Sequence, residues 1–338
     1  MSAGAAARGR WGVLLPELGR RLGFYALAAW AALTLNFLIP RLMPGDPAAA
    51  IFARFQGKLD PSALDAMRTA FGVSDDPMLV QYAHYICNVA MGELGTSLVY
   101  FPAPVSAVIG TGLMWTVFLA GLAVVIAFLI GSALGAWAAW RRGSWLDRIA
   151  PPLLALIGAF PYFWLAMVAV WGLGFQLGWF PVRHAYSAEL RPGWTLEFAG
   201  SVLQHAVLPA GTMVLASLGG WLLTMRNTMV GVLGSDAVRY AQARGLTPRR
   251  VFWTYCVRNA LLPSLTSFGM AIGFVLSGAL LTEIVFGYPG QGFLLLQAVR
   301  GQDYPLLQGL FLTISLAVLA ANLLVDGLTL SLDPRTRG

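Results

Sequence analysis

Lysine is almost missing from this chain: among 338 residues only Lys58 carries an ε-ammonium. That scarcity removes one large class of function at once. A phosphate-binding P-loop needs GxxxxGK followed by serine or threonine, because its lysine reaches the terminal phosphates. Lys58 sits in FQGKLD, without that motif, so a nucleotide site of this kind is excluded. Histidine and cysteine are scarce too. His84, His184 and His205 are scattered, and neither HExxH nor a His/Cys cluster at metal-ligand spacing occurs. Cys87 and Cys256 fall on opposite membrane sides in the topology below, so no disulfide between them is expected. No GxSxG nucleophile elbow and no paired intramembrane carboxylates are present. The chain is therefore expected to hold no catalytic residue, no metal and no cofactor of its own.

Charge is the next shortage. Only 11% of residues are charged and 58% are hydrophobic, against about 25% charged in soluble domains. Such a composition belongs in a bilayer. The net charge of +7 could suggest nucleic acid, but the basic residues cluster beside apolar stretches instead of forming a separate basic face. Nucleic acid is not an expected partner; membrane lipid is.

Spanning a bilayer takes about 20 apolar residues. Six segments reach that length, at 22–42, 105–140, 149–175, 203–230, 262–285 and 305–330. The first is uncharged from Leu22 to Ile39 and is followed by Pro40, Arg41 and Pro44, not by a small-residue cleavage site, so it reads as a retained span and not as a signal peptide. The second is too long for one crossing, and its start, Val105 to Gly112, is expected along the outer interface. The expected fold is all-α and polytopic, with six transmembrane helices. Placing both termini in the cytosol puts fifteen of the 22 basic residues on inner segments, Arg20, Arg21, Arg141, Arg142, Arg148 and Arg226 among them. This satisfies the positive-inside rule. Asp326 falls near the inner end of the last span, where it can reach headgroups or water.

The chain then divides into a flexible cytosolic lead-in (1–21), a first span (22–42), an outer helical segment (43–104), a transmembrane core (105–332) and a cytosolic tail (333–338). Within the outer segment Asp60-Pro61 and Asp76-Pro77 each open a helix, the second running through Tyr82 and Tyr85 to about Met91. Its acids are expected on exposed faces. Further along, Phe286-Gly287-Tyr288-Pro289-Gly290-Gln291-Gly292 follows a membrane helix, not a strand, and reads as a tight outer turn.

The most informative stretch is 235–262, SDAVRYAQARGLTPRRVFWTYCVRNALL, which positive-inside bias places in the cytosol. Ser235 or Asp236 can cap a first short helix, and Gly245 can end it in the left-handed conformation. Thr247 can cap a second, with Pro248 at its first position. The pattern predicts a helical elbow that docks into a groove on a cytosolic protein. Val238, Tyr240, Ala241, Val251 and Phe252 would anchor it, and Arg239, Arg244, Arg249 and Arg250 would form its rim.

Around Arg239-Tyr240-Ala241-x-x-x-Gly245 the elbow resembles the "EAA" signature of permease subunits in ATP-binding-cassette importers. Arg258-Asn259-Ala260-Leu261-Leu262-Pro263 is similar to the dipeptide/oligopeptide/nickel branch, in its B-type subunit. Pro44-Gly45-Asp46-Pro47, Gly95-Thr96-Ser97, Arg142 through Arg148, Glu283 with Phe286 through Gly292, and Asp303-Tyr304-Pro305 extend the match along the chain. Arg239 and Tyr240 stand where the general signature has glutamate and alanine.

The resemblance implies a type I importer permease fold with an extracytoplasmic helical insertion between the first two spans, in the plasma (inner) membrane of a prokaryote. It implies a homologous C-type permease, two ATPase subunits that hold ATP and Mg, and an extracytoplasmic solute-binding protein as partners. The solute path would be lined by helices three to six. Coupling to the ATPase would fall to Asp236, Arg239, Tyr240, Ala241, Arg244, Gly245, Leu246, Arg249 and Arg250. Glu283, Phe286, Gly287, Pro289, Gly290, Gly292 and Asp303 would form the outer turn and gate region. Di- or oligopeptides are the expected cargo, with nickel chelates and oligosaccharides as alternatives.

Overall fold

A computed structural model describes the backbone of residues 3–42 and 76–332. Twelve α-helices follow in order: α1 Ala3–Leu42, α2 Met78–Met91, α3 Val105–Trp140, α4 Trp145–Gly158, α5 Tyr162–Ala169, α6 Leu196–Leu233, α7 Asp236–Ala243, α8 Pro248–Arg250, α9 Arg258–Gly278, α10 Leu280–Phe286, α11 Gln291–Arg300 and α12 Tyr304–Leu332. π-Helical turns continue α5 over Val170–Gln176 and join α8 to α9 over Val251–Val257. No strand forms among the described residues beyond one bridge, Thr96 to Pro104. The all-α expectation holds.

Among the described residues four helices are long and apolar enough to cross a membrane: Gly19–Leu38, Val105–Trp140, Leu196–Leu233 and Tyr304–Leu323. A fifth span counts if α4 and its continuation to Gln176 are taken together, but that pair is bent by 95°. The stretch expected to cross as one helix over 149–175 is thus broken. Pro161 explains the place: it has no N–H to give and disfavours helical geometry in Phe160 before it. The segment expected at 262–285 lies across α9 and α10, interrupted at Ala279. The lead-in is helical from Ala3. The start of α3 belongs to one continuous helix, with Val105 and Ile109 buried in a core. Asp326 is partly exposed and is also held by protein, as described below. The helix expected at Asp60-Pro61 and the Pro44–Pro47 motif lie outside the described residues. The helix expected after Asp76-Pro77 is α2, with Pro77 at its N-cap and Gly92 (φ +77°) at its left-handed C-cap, and Asp76 and Glu93 are exposed.

The chain forms two compact units. The first comprises residues 1–114 and 291–338. In it α1 packs along α12, and the join is made by polar pairs as well as apolar ones. Asn36 Nδ2 donates to the Gln308 carbonyl at 2.7 Å and lies 3.1 Å from the Tyr85 hydroxyl. Asp326 accepts from Tyr25 Oη at 2.9 Å and sits 3.1 Å from Arg21 Nη1. Polar groups placed in apolar surroundings are costly unless paired, so these bonds select one register of α1 on α12. Val105, Ile109, Leu294, Leu306 and Leu310 form the core of this unit.

The second unit, residues 115–290, is organised on α6, against which α4, α5 and α9 pack. Leu119, Leu154, Leu218 and Leu222 lie in its core. Small residues allow the close approach, as is common where apolar helices meet with little hydrophobic drive between them. A Cβ at Gly219 would lie 2.7 Å from the Leu154 carbonyl oxygen, whereas one at Gly220 would meet nothing within 4 Å. Gly219→Leu should therefore separate α4 from α6, at a cost of about 1–3 kcal/mol or more. Gly220→Ala should be neutral or gain up to about 1 kcal/mol. Thermal unfolding in detergent measures both, and equal midpoints for the two variants would contradict this packing.

Candidate functional site

The elbow begins where α6 ends. Ser235 and Thr247 occupy the two N-cap positions with extended backbone, but neither side chain makes a capping bond; the expected caps are caps by position only. Gly245 adopts φ +73°, and its N–H donates to the Gln242 carbonyl at 2.9 Å, so the first helix closes as expected. Pro248 opens the second. That second helix is not short. It passes through the π-helical turns at Val251–Val257 directly into α9, so the elbow continues into a long helix without a hinge. π-Helical turns are frequent at functional sites because the inserted residue re-aims the side chains around it.

The assignment of anchors is corrected by burial. Val238, Ala241, Val251 and Phe252 are buried, packed with Met225 and Met229 of α6, Ala136 and Ala139 of α3, and Cys256 and Ala260. They bind the elbow to its own chain and are not offered to a partner. Spacing already allowed this result: positions 238 and 241, and 252 and 256, each share one helix face. What faces outward is polar and aromatic. Asp236, Arg239, Tyr240, Arg244, Gly245, Arg249 and Arg250 are exposed, and Leu246 is half-buried. Arg244 lies over the Tyr240 ring at 5.7 Å, and Arg239 pairs loosely with Asp236 at 3.7 Å. Trp253, exposed just after Arg249 and Arg250, was missed. Its signal was available, since a tryptophan beside a basic run is out of place on a plainly solvated face.

A second tie fixes the same end of α6. Arg226 Nε donates to Asp147 Oδ1 at 2.6 Å, and the Gly143 N–H donates to Asp147 Oδ2 at 2.9 Å. Ser144 caps α4 through Asp147 N–H. The loop Arg142–Arg148 and the elbow therefore share one support.

The residues expected in the outer turn divide between the units. In the second unit Glu283 is fully buried and accepts from Thr116 Oγ1 at 2.7 Å. Gly287 ends α10 with φ +54°, and Tyr288 N–H donates to the Glu283 carbonyl at 2.8 Å. A Cβ at Gly290 would overlap the Glu283 carboxylate, so only glycine lets the turn fold over that side chain. Phe286 is buried beside it, and its carbonyl accepts from the His184 N–H. Burial and the Glu283 charge raise the pKa of the Tyr288 phenol. Pro289 completes this tight turn. Thr116 was missed, although a lone threonine inside a long apolar run is itself a signal.

In the first unit Gly292 is buried at the start of α11. Asp303 is buried too, and its role is to join. Its Oδ1 accepts from Leu306 N–H at 3.1 Å, capping α12; its Oδ2 accepts from Ser97 Oγ and from Val99 N–H at 2.9 Å. The Gly95-Thr96-Ser97 and Asp303-Tyr304-Pro305 motifs, far apart in sequence, thus meet in one hydrogen-bonded site. Burial and the Asp303 charge raise the pKa of the nearby Tyr100. Among the described residues no group of three His, Cys, Asp or Glu side chains comes together.

The elbow thus joins a buried apolar face to an exposed, arginine-rich one on a polytopic helical chain. Residues 131–338 match the family described as binding-protein-dependent transport system inner membrane component. The chain belongs to that family. It is similar to the di/tripeptide transport system permease protein DppB of Pseudomonas aeruginosa (strain UCBPP-PA14), with 33% identity over 351 residues, covering 96% of this chain and 99% of the relative. It is also similar to the glutathione transport system permease protein GsiC of Salmonella choleraesuis (strain SC-B67), with 35% identity over 303 residues, 90% of this chain and 92% of the relative. This permease is a multi-pass membrane protein and a component of an ATP-binding-cassette importer, a transport subunit rather than an enzyme.

Removing either end of the Ser97–Asp303 bond should loosen the same joint. Ser97→Ala and Asp303→Ala should each cost about 1 kcal/mol, the usual worth of a helix cap. Combined, they should fall short of additivity by about 0.5–1 kcal/mol, as residues in direct contact do. A double-mutant cycle of unfolding in detergent checks this.

Proposed function

We propose that this permease imports di- or oligopeptides delivered by an extracytoplasmic solute-binding protein, and that two cytosolic ATPase subunits drive it through the elbow at 235–262. A homologous C-type permease completes the path. With six spans, both termini and the elbow would lie in the cytosol, the arrangement that the arginine distribution favours. The peptide cargo is supported by the names of the two relatives, a di/tripeptide and a glutathione permease.

The observation that carries the coupling role is the two-sided character of the elbow. Its inner face is locked on Met225 and Met229, and its outer face presents Arg239, Tyr240, Arg244, Arg249, Arg250 and Trp253. A groove with acidic rims and an aromatic floor fits that surface, since arginine and large aromatic residues dominate binding energy at interfaces. When ATP closes the motor subunits, a knob without internal hinges moves as a rigid body and carries α6 and α9 with it. On this reading Arg239, standing in place of the usual glutamate, acts at the rim together with Asp236. Glu283 and Gly290 shape the outer turn, and Asp303 holds the start of the last helix.

Gly245 tests the proposal because its cost is purely conformational: a Cβ there would touch nothing within 4 Å, but φ is +73°. Substitution costs about 1–2 kcal/mol for the wrong hand. Asparagine tolerates the left-handed region better than β-branched residues do. Peptide uptake by cells should therefore fall in the order Gly245→Asn, Gly245→Ala, Gly245→Val, and the ATPase subunits should co-purify less well in the same order. Wild-type uptake by Gly245→Val would remove the turn from the coupling path.

A further inference from the structure

The break between α4 and α5 lines a cavity of about 470 Å³ in the second unit. Its other walls come from Ala123 and Val124 of α3 and from Met213, Ala216 and Ser217 of α6. Most of this lining is small or apolar. The exception is backbone. Helix α4 ends at Gly158, and the carbonyls of Gly158, Ala159 and Phe160 accept no hydrogen bond among the described residues. Pro161 has no N–H, and the Tyr162 N–H, which opens α5, donates to none. All these groups belong to lining residues.

The break falls near the middle of 149–175, a stretch apolar enough to cross a bilayer. Non-helical backbone at membrane depth is tolerated only where it is buried in protein or lines a water-filled cavity. Here three acceptors and one donor belong to residues that line the cavity, and Gly158 through Pro161 are exposed, so these groups are open to water or solute. Broken spans with free half-helix ends form solute sites in other transporters for this reason: the carbonyl end takes cationic or donor groups and the amide end takes acceptors. An extended peptide carries both kinds of group on each residue. Small walls leave space beside the backbone for a short apolar side chain.

From this geometry we infer that the cavity at the Gly158–Tyr162 break is a hydrated subsite on the translocation path, which holds the main chain of a transported peptide. The inference rests on the peptide-importer reading above and adds to it a place and a mode of recognition. Binding through backbone groups explains how one path could pass peptides of different sequence: every peptide offers the same donors and acceptors, and the walls limit only bulk. Ser217, exposed at the cavity, keeps its own proton on the Met213 carbonyl at 2.8 Å, so its oxygen remains an acceptor.

The test uses membrane vesicles that hold the complete importer, in a Cys87→Ser background because Cys87 is exposed and Cys256 buried. Ser217→Cys is labelled with a charged methanethiosulfonate in the presence and absence of trialanine, and uptake of trialanine is measured in the same vesicles. Leu215→Cys, exposed on the same helix but outside the cavity lining, is the control. The expected result is ready labelling at position 217, slowed about tenfold by trialanine at ten times its half-saturating concentration, as simple occupancy requires. No slowing is expected at position 215. Absence of labelling at position 217 overturns the inference whatever the cargo, because the cavity would then be dry or lipid-filled. Vesicles that import trialanine yet show no protection, or equal protection at both positions, overturn the subsite alone. Vesicles that import no trialanine overturn the peptide reading and, with it, this inference.

Discussion

The second unit depends on one apolar junction, the packing of the elbow onto the C-terminal end of α6. Val238, Ala241, Val251, Phe252 and Cys256 close on Met225 and Met229, with Ala136 and Ala139 of α3 behind them. The Trp140 and Phe252 rings add an edge-to-face contact at 5.1 Å. Burial of side chains of this size contributes about 1.5–3 kcal/mol each, enough to hold two short helical turns that could not persist alone in water. The elbow's arginines and Tyr240 stay exposed. A connector that spent its apolar face on a partner would move with that partner and leave the spans behind.

The same division of labour recurs elsewhere in the chain. Polar pairs mark joints between segments distant in sequence: Thr116 with Glu283 and Ser97 with Asp303 are buried, whereas Tyr25 and Arg21 with Asp326, and Arg226 with Asp147, are partly exposed. In apolar surroundings such a pair is worth having chiefly because the alternative is an unpaired buried group. Each pair thus fixes a register more than it adds net stability. Small residues do the complementary work. Gly219 lets two helices touch at backbone distance, and Gly290 lets a turn close over a carboxylate.

Much of this was legible in residue order. Apolar length marked the spans, Asp76-Pro77 announced α2, Gly245 and Pro248 bounded the elbow, and motif order along the chain pointed to the family. Packing partners were not legible. Val238 and Phe252 read equally well as anchors for a partner or as core, because one sequence cannot say which neighbour occupies a helix face. Asp303 looked like part of a gate, and only the fold shows its carboxylate reaching back to Ser97. The break at Pro161 was signalled by its proline but hidden by a stretch apolar enough to span. The start of α3 looked surplus to one crossing because it serves a core of its own.

Rigidity of the elbow on α6 is the central claim, and coupling stoichiometry probes it most directly. Phe252→Leu trims the junction without touching the exposed arginines, so motor binding should survive while transmission weakens. In proteoliposomes of the complete importer, the ratio of peptide imported to ATP hydrolysed should fall several-fold in this variant, with hydrolysis near the parent rate. An unchanged ratio, with uptake and hydrolysis falling together or not at all, would contradict the account.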